Sequence, residues 1–314
     1  MPPGADLPQL NGGLVLTDGG LETCLIFHDG VDLPHFAAFM LLRSEEGRAT
    51  LRRYYEPYLQ IAQKDRRGFI LESPTWRASA DWADRLGVSR SELAELNGAA
   101  IRLMRALKDE YSGRVAPLVV SGCVGPRGDG YVAGELMTAE AAEAYHADQI
   151  STFAAAGADM IAAITMTNVP EAIGIARAAR AQDAPVAISF TVETDGKLPT
   201  GQALGEAVDA VDAATGAWPA YYMVNCAHPS HFAQAFEVGA PWLERVQGLR
   251  ANASRLSHQE LNDAADLDDG DPAELGAEHA DILRRLPQIK VLGGCCGTDH
   301  RHVAAMSRAC EPVG

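Results

Sequence analysis

Gly157-Ala158-Asp159-Met160-Ile161-Ala162-Ala163-Ile164-Thr165-Met166-Thr167-Asn168-Val169-Pro170 is the stretch whose reading decides the fold. Gly157 closes a helical pattern over 138–156, which opens at Thr138 with Glu140 near its positive end. Met160 to Ile164 is a continuous apolar run, as expected of a parallel strand covered on both faces. Pro170 then stands near the start of a further helix over 169–182. A helix exit, a buried strand and a helix entry follow one another directly, which is the signature of a βα unit.

The unit recurs along the chain. Further short apolar runs are Leu14–Leu16, Phe69–Leu71, Pro117–Val120, Val186–Phe190, Tyr221–Val224, Val246–Leu249 and Val291–Leu292, which with 160–164 makes eight. Helical patterns separate most of them. Residues 89–111 open with the capping-box pattern Ser89-Arg90-Ser91-Glu92 and place Leu93, Leu96, Ala100, Leu103 and Leu107 on one face. Thr298 gives a start signal for 299–310. Eight such units predict a single-domain α/β protein, a (β/α)8 TIM barrel spanning 1–314. A doubly wound sheet would need G-x-G-x-x-G after strand one, and Asp18-Gly19-Gly20-Leu21-Glu22 does not fit it. No Pro-, Gly- or Ser-rich linker divides the chain, and the acidic stretch Asp263–Asp271 reads as a solvated excursion between strands seven and eight.

Composition narrows the partners. Forty-two acidic against 26 basic residues give a formal charge of −16 over 314 residues, a field that repels phosphate backbones and anionic membranes. No stretch approaches the roughly 18–20 apolar residues of a bilayer span, and the N-terminus lacks the basic start and apolar core of a secretion signal. The expectation is a soluble cytoplasmic protein that binds small molecules, with neither nucleic acid nor membrane as partner and its oligomeric state open. The cysteines are Cys24, Cys123, Cys226, Cys295, Cys296 and Cys310. Two are adjacent, which rarely bond to each other, and a reducing compartment would keep all six as thiols.

In this barrel the active site lies at the C-terminal ends of the strands. Those ends read Asp18-Gly19-Gly20, Glu72-Ser73-Pro74-Thr75, Ser121-Gly122-Cys123-Val124-Gly125, Thr165-Met166-Thr167-Asn168, Thr191-Val192-Glu193, Asn225-Cys226-Ala227-His228, Asn252 and Gly293-Gly294-Cys295-Cys296-Gly297. Three thiols therefore converge from strands six and eight, although about 70 residues separate them in sequence. They can be a Zn²⁺ site with one open position, or small apolar packing residues. Gly293-Gly294 also admits a phosphate-cradling reading, but no basic residue stands beside it and it leaves Cys295-Cys296 unexplained. His228 with His231 and His300 with His302 read as helix starts and loops rather than ligands. Only Lys197 among the lysines lies past a strand end, against Schiff-base chemistry.

Val224-Asn225-Cys226-Ala227-His228-Pro229 and Val291-Leu292-Gly293-Gly294-Cys295-Cys296-Gly297-Thr298 resemble the two zinc motifs of the homocysteine S-methyltransferase family. Asp18-Gly19-Gly20-Leu21-Glu22-Thr23 is similar to its substrate loop, and Ser121-Gly122-Cys123-Val124-Gly125-Pro126 to its strand-three motif. The resemblance runs from about residue 12 to residue 310. It implies Zn²⁺ on Cys226, Cys295 and Cys296, and an acceptor site around Asp18, Gly19, Thr165, Asn225 and Gly294. The activity it implies is methyl transfer to the homocysteine thiolate from S-methylmethionine, S-adenosylmethionine or betaine. The chemistry is coherent: three thiolates give the ion a formal charge of −1, a poor centre for making hydroxide but one that leaves a bound thiolate nucleophilic. The alternatives are a non-catalytic zinc- or thiol-binding barrel, or a methyltransferase for another thiol.

Three positions depart from the family pattern. Ile164 stands where the family has a Glu for the acceptor ammonium, so either Glu22, Glu72 or Glu193 replaces it from another strand or the acceptor is bound differently. Met223 occupies a usual Gly and is expected to narrow the pocket. Trp76, in Ser73-Pro74-Thr75-Trp76, is expected in the pocket wall.

Overall fold

A computed structural model describes residues 7–236, 239–264 and 266–310. Eight parallel strands close into a barrel in sequence order: β1 (Val15–Leu16), β2 (Gly68–Glu72), β3 (Leu118–Val124), β4 (Met160–Met166), β5 (Val186–Phe190), β6 (Tyr221–Asn225), β7 (Val246–Ala251) and β8 (Val291–Gly294). Val15 pairs with both Gly68 and Val291, which seals the ring. The helices between the strands are α1 (Leu21–Thr23), α2 (Glu45–Lys64), α3 (Ala80–Arg85), α4 (Arg90–Tyr111), α5 (Ala139–Ala156), α6 (Val169–Ala181), α7 (Leu204–Thr215), α8 (Pro229–Phe232), α9 (His258–Asp263) and α10 (Pro272–Arg285), with α11 (His300–Ala309) after the last strand. None of the described helices is long and apolar enough to cross a membrane.

Strand alternation explains why the runs are apolar throughout. Along β4, Met160, Ala162 and Ile164 face the barrel interior with Val15, Ile70, Val119, Cys123, Tyr221 and Val291. Ile161 and Ala163 face outward into the layer shared with the helices. Leu7 joins the interior cluster, and the Gln9 amide sits 3.1 Å from Met160 Sδ, so the segment before β1 closes the lower end. Met223 does not narrow the pocket as the sequence suggests. It packs into the interior, where Gly248 leaves the room: a Cβ there would lie 2.6 Å from Met223 Cγ.

Local signals fix the helix ends. Thr138 accepts from the Ala141 amide, and Gly157 leaves α5 at φ 87°. Ser89 accepts from the Glu92 amide, but the reciprocal half of the expected box is absent because Glu92 pairs with Arg43 at 2.8 Å. Asp299, not Thr298, caps α11; Thr298 donates instead to the Cys295 carbonyl at 2.7 Å. The acidic excursion is mostly exposed, as expected. It is tied down where Asp268 meets Ser254 and where Asp269 meets Arg301.

Candidate metal and acceptor site

The upper mouth of the barrel holds a pocket lined by the loop after β1 (Asp18 to Thr23), by Glu72, Ser73, Pro74 and Trp76 after β2, and by Ile164 and Thr165 of β4. Tyr55, Cys123, Cys226, Arg250, Cys295 and Cys296 complete it, with Phe36 at the rim. Of the predicted site residues, Asp18, Gly19, Thr165 and the three cysteines line it directly. Asn225 stands behind the wall, and Gly294 supports the floor through its carbonyl, which accepts from Arg250 Nε at 3.2 Å.

The sulfurs of Cys226, Cys295 and Cys296 lie within 4.8 Å of one another, the one cluster of metal-ligating side chains among the described residues. Cys226 Sγ is 3.7 Å from Cys296 Sγ and is joined to Cys295 as a disulfide, with Cα atoms 5.3 Å apart. This corrects the expectation of six free thiols. The ends of β6 and β8 bring non-adjacent cysteines into disulfide range. Three thiols on one face suit a soft, tetrahedral ion, and reduction of the 226–295 bond supplies all three. The histidines keep their bland reading: His228 pairs with Glu278, and His302 with Asp299. Cys24 and Cys310 are buried packing residues, whereas Cys123 reaches the pocket.

Two strand ends carry unusual backbone. Thr165 and Cys226 have φ of 65° and 54°, a region costly for side chains with a Cβ and most so for a β-branched one. Asn225 holds this arrangement in place. Its Oδ1 accepts from the Thr165 amide at 2.9 Å and from Ser189 Oγ at 2.6 Å, and its Nδ2 donates to Thr165 Oγ1 at 2.8 Å. The β4–β5 register shifts at the same place, between Ala163 and Met166.

Arg250 was not foreseen. Strand seven reads as ending at Leu249, yet it continues to Ala251, and the inward parity of Gly248 carries Arg250 into the mouth. Its guanidinium reaches Asp18 at 2.7 Å and Glu72 at 3.2 Å. Tyr54 donates to the other Asp18 oxygen at 3.1 Å. Burial raises the Asp18 carboxyl despite Arg250, and pushes Glu72 to about 7. Burial also raises Glu22 to about 7.

Trp76 takes the expected wall position. Its indole donates to the Ile164 carbonyl at 3.2 Å, and Arg77 stacks on it at 4.0 Å and on Trp82 at 3.9 Å. Sequence reasoning also missed Tyr131 and His258. The Tyr131 hydroxyl lies 3.2 Å from Cys296 Sγ, and its ring stacks on His258 at 4.2 Å. His258 in turn meets the Cys226 carbonyl at 2.7 Å and Glu193 at 3.2 Å. Only the capping signal Ser257-x-x-Glu260 marked that segment, and it says helix start rather than site.

Fold and mouth together define a (β/α)8 barrel built around a cluster of three thiols. The model of the homocysteine S-methyltransferase family matches residues 15–310. The chain belongs to that family, and it is a methyltransferase. It is 26% identical to homocysteine S-methyltransferase 4 of Zea mays, over 95% of this chain and 90% of that protein. Its fold matches the homocysteine methyltransferase MmuM of Escherichia coli in metallated form, with TM-score 0.73, 21% identity, and 95% and 96% of the two chains covered. The oxidised form of MmuM matches with TM-score 0.72 at 22% identity, over 94% and 95%.

Proposed function

We propose that the chain methylates the sulfur of homocysteine to give methionine, using Zn²⁺ held by Cys226, Cys295 and Cys296 and a small sulfonium or ammonium donor. The observation that carries the reading is the three-sulfur cluster opening into the pocket beside the loop after β1. When bound, zinc supplies the acidity that makes an acceptor thiol a thiolate at neutral pH. The sulfur–methyl bond forms as the donor's carbon–sulfur or carbon–nitrogen bond breaks, and the donor leaves neutral at its former cationic centre. No general acid or base is required for that step.

The chain's own residues do the positioning. Asn225 fixes the strained Thr165 turn at the edge of the pocket, and His258 and Glu193 steady the Cys226 backbone. Arg250 keeps Asp18 and Glu72 in fixed orientations. Phe36 offers aromatic surface at the rim, which attracts an onium centre. We place the protein in the cytoplasm, where the 226–295 pair is kept reduced.

The test is metal analysis of reduced protein followed by methionine formation from homocysteine, run with S-methylmethionine, S-adenosylmethionine and betaine in turn. One zinc per chain and turnover with one of the three donors supports the reading. Zinc binding without methylation of any thiol would favour the non-catalytic barrel.

A further inference from the structure

Charge inside the pocket is unbalanced. Three carboxylates line it, from Asp18, Glu22 and Glu72, against the single guanidinium of Arg250. Two of the three are accounted for. Asp18 accepts from Arg250 with one oxygen and from Tyr54 with the other. Glu72 gives Oε2 to Arg250, and its Oε1 has no hydrogen-bond partner but is sealed from solvent and so out of a ligand's reach. Glu193 is committed elsewhere: it pairs with His258, is 37% exposed and does not line the pocket.

Glu22 is different. It projects from the short turn α1 into the pocket, and beyond its own backbone amide no hydrogen-bond or ion-pair partner faces it among the described residues. On β4, Ile164 presents only methyl groups, and the hydroxyl oxygen of its neighbour Thr165 accepts from Asn225. Glu22 is only partly buried and feels Arg77 and Arg250 through space alone, so a ligand cation could reach it and supply the direct counter-charge it lacks.

Resting on the acceptor reading above, we propose that Glu22 is the residue that receives the α-ammonium of the thiol acceptor and so sets its specificity. The methyl donor is the other cation available. An onium centre has no N–H, whereas a primary ammonium donates directional, charge-assisted hydrogen bonds to a carboxylate. S-methylmethionine and S-adenosylmethionine carry an α-ammonium of their own, so the donor arm of the test is run with betaine, which has none. The aromatic surface of Phe36 at the rim is the better match for an onium, since Arg77 already stacks on Trp76. The desolvation that raises Glu22 to about 7 is what a bound ammonium would reverse.

The experiment compares kcat/KM for homocysteine and for its des-amino analogue, with one donor, in the wild type and in Glu22→Gln. The expected result is a wild-type preference for homocysteine of about tenfold or more, the size of one charge-assisted contact. In Glu22→Gln it should fall to within about threefold, with the loss in the homocysteine arm alone. Donor KM should stay unchanged. An unchanged ratio in the variant, equal use of both thiols by the wild type, or a loss confined to donor KM would each overturn the assignment. Failure of the wild type to methylate either thiol would instead strike the reading it rests on. If Gln lowers the yield of folded protein, Glu22→Ala is read by the same ratio.

Discussion

Replacing Glu22 by Gln should stabilise the protein at pH 8 and change it far less at pH 5. The folded-state value of about 7 lies above the ordinary 4.5, and burial is the main cause. The folded protein therefore holds this proton more tightly than the unfolded chain. Stability is retained below about 4.5 and is lost as pH rises through 7. The gap between those values corresponds to roughly 3 kcal/mol. Pocket water screens part of this, so about 1–3 kcal/mol is expected at pH 8, and under a third of it at pH 5. Gln keeps the shape and removes the charge. Urea denaturation of wild type and variant at both pH values, with identical metal loading, reads the difference as a shift in midpoint. A variant no more stable than wild type at pH 8, or a gain equal at both pH values, would refute the reasoning. The same substitution is the one expected to erase discrimination for the acceptor ammonium, so the group that costs stability is the group that confers specificity.

Removing Arg250 as Met leaves the Asp18 and Glu72 carboxylates buried without a counter-charge, and should destabilise by about 3–5 kcal/mol at pH 8. The penalty shrinks toward pH 5 as Glu72, raised to about 7, takes up a proton, which denaturation at the two pH values checks. Asn225→Ala removes three buried hydrogen bonds around the strained Thr165 turn and should cost about 2–4 kcal/mol. Its activity should fall further than that of Ser189→Ala, which loses only one of them; kinetics and stability measured side by side separate the two. Cys296→Ala should lose most of its zinc while keeping its fold, and undiminished metal would count against the ligand assignment.

The barrel was legible because parallel strands buried on both faces must be apolar throughout, and eight such runs leave few other topologies. Cys226, Cys295 and Cys296 were legible as a set because strand ends converge whatever their separation in sequence. Arg250 was not, since a guanidinium one residue past an apolar run looks like the end of a strand; only the alternation inherited from Gly248 turns it inward. The positive φ at Thr165 and Cys226 leaves no compositional trace, because the usual glycine is absent from both positions. Met223 misled for a related reason. Its effect depends on Gly248 on the neighbouring strand, a pairing visible only once the register is known.

The central claim is that an acceptor thiol reaches a zinc ion held by three cysteines. Zinc-edge X-ray absorption on reduced, zinc-loaded protein tests it most directly, recorded with and without homocysteine. The account predicts three sulfur neighbours and one lighter atom at rest, and four sulfurs when homocysteine is added. A sulfur count that stays the same on addition, or a resting site with fewer than three sulfurs, would contradict it.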